Sequence, residues 1–362
     1  MISNKLVTVL KKLDNGPKTI SIIEQDYPGC IMNDICGLLK TFSESTERCQ
    51  ENEIVQCVIY ALKNILAFSE SEQCQVSSLL APILKITISP SNSSELTLVS
   101  ATAWAKIICK LHADVIVARR TLLKEVECQS NDDFARITLI EGLLNCGYTD
   151  VIIELDFLLI VFSRIKQSCL TTSGHLFQSF QALKTWSHRL KELKPSTDKE
   201  EGQMQNTSNV IESVNSIIFN NWENPVRGVP DILETTLVNV LEFHQKFDSE
   251  YYRRYLDILC EKVKNFSWKL KGKYRVLNVL LPRIGATEVL QKETHFGTNL
   301  FQCLSSNHLV SVGIAVYKTI LKEICVDLWE AQFLQPLVEC LQNEDNELIQ
   351  TNANIYLIPN SI

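Results

Sequence analysis

The sequence of 362 residues predicts an all-α fold, in which antiparallel helix pairs stack as an α-solenoid. Apolar residues recur at helical spacing along most of the chain, and short polar segments separate these stretches. Only 12 glycines and 10 prolines occur, whereas sheets with many tight turns need glycine at positive φ. A helix about every 20 residues, joined to the next by a short loop, is the rhythm of HEAT and armadillo repeats.

Four apolar stripes at helical spacing support this prediction along the chain. They lie in residues 55–66, 233–241, 256–266 and 309–324. Short polar turns are predicted between helices at residues 44–47, 69–72, 129–132 and 342–345.

One polar segment interrupts the helical pattern. Residues 194–209 contain only one clearly apolar side chain, Met204, and therefore cannot bury enough area to offset the entropy of ordering. We expect an exposed linker or loop there, dividing N-terminal helical repeats in 1–193 from further repeats in 210–362. Because no polar-faced capping repeat closes the pattern, we also expect a solenoid truncated at its C-terminus.

The residues that enzymes need are not grouped in this sequence. No glycine-rich phosphate loop and no GxSxG element occur, and the six histidines stand apart from other metal ligands. The 13 cysteines form no CxxC pair, and Cys57, Cys109 and Cys260 fall in apolar helical segments, where a thiol packs as a small hydrophobe. We predict a non-catalytic, reduced, cytoplasmic protein without cofactor or metal.

The charge distribution is the unusual feature. Residues 253–283 carry nine basic and two acidic side chains, although the whole chain has a net charge of −7. A local anionic partner such as RNA would favour this segregation, and a merely solvated face is the alternative. The candidate RNA-binding residues are Arg253, Arg254, Lys262, Lys264, Lys269, Lys271, Lys273 and Arg275.

Helical geometry gives this basic window a predicted orientation. A buried stripe of Leu270, Tyr274, Leu277 and Leu281 would turn two like-charged pairs towards solvent. The pairs are Lys269/Lys273 and Lys271/Arg275. Tyrosines 251, 252 and 255, one helix earlier, would stack on bases if they are exposed.

Two tryptophan-containing elements carry a resemblance to a known family. Residues 221–229 read Asn-Trp-Glu-Asn-Pro-Val-Arg-Gly-Val, and residues 267–274 read Ser-Trp-Lys-Leu-Lys-Gly-Lys-Tyr. Both resemble the central region of the thyroid adenoma-associated protein family, and residues 181–186 resemble an upstream helix there. The resemblance covers about 210–345 and, more weakly, 130–193.

Several residues of these elements are predicted to be structural. Pro225 suits the first turn of a helix, and Trp222 and Trp268 are bulky anchors for helix pairs. Gly228, Gly272 and Tyr274 complete the family-like set.

The resemblance implies a HEAT-like scaffold that supports 2′-O-ribose methylation in the tRNA anticodon loop. The implied partners are tRNA and an FtsJ-type methyltransferase, which would supply the catalytic centre. A downstream Arg-Arg-Ser-Ala-Gly-[Leu/Ile]-Pro element of the family does not occur in this sequence, so we expect only part of the scaffold here. The alternative function is a protein–protein adaptor that binds no RNA.

Overall fold

The computed structural model describes nine stretches of the chain. They are residues 4–12, 31–45, 52–66, 73–129, 131–170, 175–194, 201–247, 249–293 and 295–357. Helices and turns account for these residues, and no strand occurs among them, so the predicted all-α fold is confirmed. The chain divides into two compact units, Met1–Ile217 (unit 1) and Ile218–Ile362 (unit 2).

The described residues of unit 1 form eleven helices and most of a twelfth. They are α1 Asn4–Lys12, α2 Ile31–Glu44, α3 Asn52–Lys63, α4 Gln73–Ser78, α5 Leu80–Thr87, α6 Ser94–Leu111, α7 Val115–Cys128, α8 Asp133–Asn145, α9 Thr149–Ile152, α10 Leu155–Leu170, α11 Leu176–Glu192 and α12 Glu201–Asn221. Helix α6 packs against α5 and α8, α8 packs against α11, and α11 packs against α10. Each helix thus contacts helices close to it in sequence, as stacked helical repeats do.

Side-chain caps begin the central helices of unit 1. The Ser93 hydroxyl accepts a hydrogen bond from the Leu96 amide at 3.3 Å. The Asp114 carboxylate accepts from the Ile116 amide at 2.7 Å, and Asp132 accepts from Ala135 at 3.1 Å. These acceptors satisfy amides that the first turn of a helix leaves unpaired, so the short polar turns fix where α6, α7 and α8 start.

The core of unit 1 is built on two buried tryptophans, Trp104 of α6 and Trp186 of α11. The indole N–H of Trp186 donates to the Leu158 carbonyl of α10 at 2.8 Å, which satisfies the polar atom that burial would otherwise strand. Helices α6 and α8 approach closely, because a Cβ on Gly142 would lie 2.4 Å from the carbonyl carbon of Ala101.

The predicted linker is only partly described, and the described part is helical. Residues 195–200 lie outside the described stretches, but α12 begins at Glu201, so the prediction of an irregular segment is wrong for residues 201–209. Thr207 is already buried, and Ile211 and Val214 follow it on the buried side. The apolar second half of α12 secures its packing, and the polar residues before it extend an established helix at little cost.

A partly buried carboxyl in α8 makes the stability of unit 1 depend on pH. Burial raises the pKa of Glu141 from 4.5 to about 7. Between these values the folded state holds a proton that the unfolded state has lost, so the free energy of unfolding falls as pH rises.

We expect Glu141→Gln to stabilise the protein at pH 8 by roughly 1–2 kcal/mol and to change little at pH 4.5, where the carboxyl is mostly protonated when folded. Urea unfolding at both pH values measures the difference. Glu212→Gln, at an exposed position of α12, is the control. An equal gain at the two pH values would contradict the assignment.

The described part of unit 2 contains four helices of 14 to 19 residues and five shorter ones. They are α13 Val229–Phe247, α14 Ser249–Lys264, α15 Lys271–Ile284, α16 Ala286–Lys292, α17 Phe296–Leu300, α18 Asn307–Leu321, α19 Val326–Trp329, α20 Gln335–Leu341 and α21 Glu347–Asn352. Helix α15 is central, because it contacts α13, α14, α16 and α18. No helix in the described part of either unit is long and apolar enough to cross a membrane.

Candidate nucleic-acid interface

The two tryptophan elements of the sequence meet at the start of α15. The buried ring of Trp222 lies against Gly272, where an added Cβ would be 2.5 Å from the indole Cδ1. The neighbouring Glu223 carboxylate accepts a hydrogen bond from the Gly272 amide, which caps the positive end of α15. Gly272 is therefore required for close approach, and the two elements form one packed node.

The second element closes on itself around Trp268. The Tyr274 hydroxyl donates to the Trp268 carbonyl at 2.6 Å, and the Trp268 ring packs edge-on against Phe296, with centroids 5.3 Å apart. Tyr274 is fully buried, and burial raises the pKa of its phenol. We call Trp222, Trp268, Gly272 and Tyr274 the tryptophan node; it joins the residues that directly follow α12 to the start of α15.

The prediction for Pro225 is wrong, because this residue precedes α13 rather than opening it. Helix α13 begins at Val229, and Pro225 is exposed in the preceding turn. Between them, Gly228 has φ of 89°, a conformation that helical residues do not adopt. The chain thus reverses at Gly228, which is the conformational reason for a glycine at this position.

Lys273 does not face solvent as the helical pattern predicted. Its side chain is buried, and Nζ donates to the carbonyls of Phe266 at 2.9 Å and Lys264 at 3.2 Å. Nζ also lies 4.2 Å from the centroid of the Trp268 ring. Burial lowers the pKa of Lys273, and the charge of Glu293 opposes that shift. The hydrogen bonds of Lys273 therefore hold the end of α14 and the turn after it against the start of α15.

Arg275 is also engaged inside the protein. Its guanidinium pairs with Asp231 of α13 at 2.6 Å and with Glu234 at 3.3 Å, and its side chain is 19% exposed. Burial raises the pKa of Glu234 although Arg275 opposes the shift. Arg275 therefore holds α15 against α13, and its charge is compensated.

The predicted orientation of Lys273 and Arg275 towards solvent is wrong for a geometric reason. Tyr274, Leu277 and Leu281 are buried as predicted, but Leu270 is 40% exposed because it precedes the first residue of α15. Neighbouring helices cover α15 on several sides, so even Val276 and Val279 are buried. One apolar stripe predicts which residues of a helix are exposed only if other helices cover a single face of that helix.

The remaining candidates lie on α14, in the turn after it and at the first residue of α15, and most of them are exposed. The exposed cations among them are Arg253, Arg254, Lys262, Lys264 and Lys269, and Lys271 is half-buried. Lys264 pairs with Glu261 on the same helix. Lys262 places Nζ 5.9 Å from the centroid of the Phe219 ring. We call these six residues the α14 basic surface.

Of two neighbouring rows of side chains on α14, one contains acidic residues beside its cation and the other does not. Asp257 and Glu261 are exposed and follow Arg253 at four-residue steps, so they share its row on the helix. The row through Arg254 and Lys262 instead carries Ile258 between the cations, and Ile258 is 50% exposed. Sequence reasoning missed Ile258, although an apolar residue four positions from each cation was a signal for it.

The three tyrosines are not a platform for bases. Tyr255 is buried, with its ring 4.6 Å from that of His244 in α13, and Tyr251 lies 5.0 Å from the same imidazole. Tyr252 is half-buried and accepts a hydrogen bond from Arg283, and burial raises the pKa of its phenol. The rings of Tyr251 and Tyr255 therefore contact His244 and hold α14 against α13, whereas Tyr252 contacts Arg283 of α15.

The cleft beside the α14 basic surface is small. Its walls include Cys260, Trp268 and Lys273, and its volume is about 60 Å³. Within the described stretches, no group of three His, Cys, Asp or Glu side chains could hold a metal ion.

Three curated proteins are similar to this chain, and all are named tRNA (32-2′-O)-methyltransferase regulator THADA. The Canis lupus familiaris protein is 22% identical over 337 residues, covering 84% of this chain. The Mus musculus protein is 23% identical over 332 residues, covering 87%. The Gallus gallus protein is 20% identical over 216 residues, covering 55%.

The chain spans only a small part of these relatives, 16% of the dog and mouse proteins and 11% of the chicken protein. No family model matches the chain, and no solved structure matches it. The similarity extends beyond 130–193 and 210–345, where the sequence elements lie, because the matches reach 84–87% of the chain. The chain is therefore similar to the thyroid adenoma-associated protein family of tRNA methyltransferase regulators, over most of its own length.

Proposed function

We propose that this chain is part of a non-catalytic scaffold that supports 2′-O-ribose methylation of tRNA by a partner methyltransferase. The carrying observation is its similarity, over most of its length, to proteins named as regulators of methylation at nucleotide 32. Such a scaffold binds tRNA and an FtsJ-type enzyme, which supplies the S-adenosylmethionine site. Nucleotide 32 lies in the anticodon loop, which is the expected site of modification.

The α14 basic surface supports the RNA-binding half of the proposal. Its exposed ammonium and guanidinium groups suit phosphate oxygens, and Lys273 and Arg275 are excluded because their donors are engaged within unit 2. The exposed side chain of Ile258 between Arg254 and Lys262 adds an apolar contact for a sugar or base edge.

The test is tRNA binding by Lys262→Glu/Lys269→Glu, which reverses two exposed cations of this surface. We expect weaker binding and a salt dependence that becomes shallower by about 0.7–0.9 in log K per log salt for each phosphate that the variant no longer neutralises. The matched control is Lys318→Glu/Lys322→Glu, which reverses two exposed lysines at the end of α18. Filter binding between 50 and 200 mM salt measures both slopes.

Equal weakening in both variants would contradict a local RNA site, because it would show that only net charge matters. Unchanged binding in the first variant would remove the α14 basic surface from the proposal. If the unmodified chain does not bind tRNA, the adaptor function without RNA gains support. If this chain then still captures the methyltransferase from an extract treated with ribonuclease, the result supports the adaptor function.

A second experiment tests the scaffold role itself. Depleting this chain from cells should lower ribose methylation at nucleotide 32 of the affected tRNAs, which mass spectrometry of isolated tRNA measures. Restoring the unmodified chain should restore methylation. Full methylation in depleted cells would overturn the proposed function.

A further inference from the structure

Two cysteines of unit 1 that are distant in sequence are brought into contact. Cys109 lies in the last turn of α6, and Cys146 directly follows α8. The close packing of α6 on α8 at Ala101 and Gly142 holds these helix ends together. Tyr148, two residues after Cys146, lines the same cleft as Cys109, and each of the two thiols shifts the pKa of the other. The sequence predicted Cys109 to be only a small packed hydrophobe.

The two sulfurs have unequal surroundings. The hydrogen bond from Cys109 lowers the pKa of Cys146, and the Tyr148 amide and the charges of Lys106 and Arg189 act in the same direction. The same shared proton, together with burial, raises the pKa of Cys109. Elsewhere in the described chain, burial raises the pKa of Cys169 to about 12 and of Cys260 to about 11. The pair is thus chemically distinct from a packed thiol.

Both cysteines are buried, but Cys109, which is 6% exposed, reaches a cleft that opens to solvent. Cys109 lines an open cleft of about 620 Å³ together with Lys110, His112, Tyr148 and Asp150. Cys146 is 1% exposed and lies behind it. A small reagent entering the cleft therefore meets the sulfur of Cys109 first, beside cationic Lys110.

We propose that Cys109 and Cys146 form a redox modification site, which a low-molecular-weight disulfide such as oxidised glutathione converts into an intramolecular disulfide. The reacting form of the pair holds one proton, with Cys109 as the thiol and Cys146 as the thiolate. Cys109 attacks one sulfur of the reagent as its proton passes to the Cys146 thiolate. The reagent's S–S bond breaks, and one glutathione leaves as a thiolate that takes up a proton.

The second step uses the contact between the two cysteines. Cys146 loses its proton to solvent or to the leaving thiolate and attacks the sulfur of Cys109. The mixed disulfide breaks, and the second glutathione leaves. Two electrons pass from the cysteine pair to the reagent, and the products are one protein disulfide and two glutathione thiols.

The test is oxidation of the folded full chain with oxidised glutathione, followed by alkylation of free thiols, proteolysis and mass spectrometry. We expect a peptide pair linked through Cys109 and Cys146, with buried Cys169 still alkylated only after unfolding. Exposed Cys128 and Cys325 report that the reagent is active, because they should carry glutathione.

Two single variants define the order of steps. Cys146→Ser should retain glutathione on Cys109, because the resolving thiol is gone, and Cys109→Ser should leave Cys146 unmodified. Circular dichroism checks that each variant is folded. If Cys109→Ser does not fold, Cys109→Ala is used in its place. Glutathione on Cys128 without a Cys109–Cys146 link in the unmodified chain would overturn the proposal, as would modification of Cys146 in Cys109→Ser.

Discussion

Replacing Lys273 with glutamate is expected to destabilise unit 2 by about 3–5 kcal/mol, because it places an uncompensated carboxylate in a buried site. The carbonyls of Phe266 and Lys264, which now accept hydrogen bonds from Nζ at 2.9 and 3.2 Å, would face the new charge. The variant therefore loses two hydrogen bonds and gains repulsion at the junction of α14 and α15.

Hydrogen exchange of α14 and α15 peptides, together with urea unfolding, measures the effect. Lys273→Met keeps the apolar stem and should cost about 1–3 kcal/mol, since it leaves the two carbonyls without donors. Lys269→Glu, at an exposed neighbouring position, should stay within about 0.5 kcal/mol of the unmodified chain. Equal stability of the two glutamate variants would show that Lys273 does not stabilise the junction of α14 and α15.

This expectation also determines how RNA-binding experiments must be designed. A charge reversal that includes Lys273 or Arg275 would weaken tRNA binding through unfolding of unit 2, whether or not RNA contacts this surface. The variant at Lys262 and Lys269 avoids both buried positions, so a change in its salt slope reports on the surface itself.

The second large effect is expected from a single methyl group. Gly142→Ala should destabilise unit 1 by about 2–3 kcal/mol, because the added Cβ would lie 2.4 Å from the backbone carbonyl carbon and the Cβ of Ala101. Helices α6 and α8 would have to separate, and the side chains packed between them would no longer fit closely.

Helix propensity alone predicts the opposite sign, because alanine stabilises a helix interior relative to glycine by about 1 kcal/mol. Gly37 in α2 is the matched control, since an added Cβ there meets nothing within 4 Å. Gly37→Ala should stabilise the protein by about 0.5–1 kcal/mol. Urea midpoints that shift in the same direction for both variants would contradict the close approach of α6 and α8.

The Gly142 and Gly37 pair illustrates what sequence reasoning lacks. Both glycines lie inside helical patterns, and nothing local distinguishes them. The difference is a neighbouring helix, which the tertiary structure alone supplies. The contact of Cys109 with Cys146 has the same origin, because residues far apart in the chain become neighbours only when α6 and α8 pack.

The sequence by itself determined the all-α class, the apolar stripes of several helices and the family resemblance, because apolar spacing and short polar turns are local properties. Tertiary structure decided which side chains of the basic window reach solvent. Lys273 and Arg275 sit among cations in the sequence, yet helices α13, α14 and α18 cover α15 and bring carbonyls and carboxylates to them. The burial of a residue depends on every helix around it, whereas periodicity describes only its own.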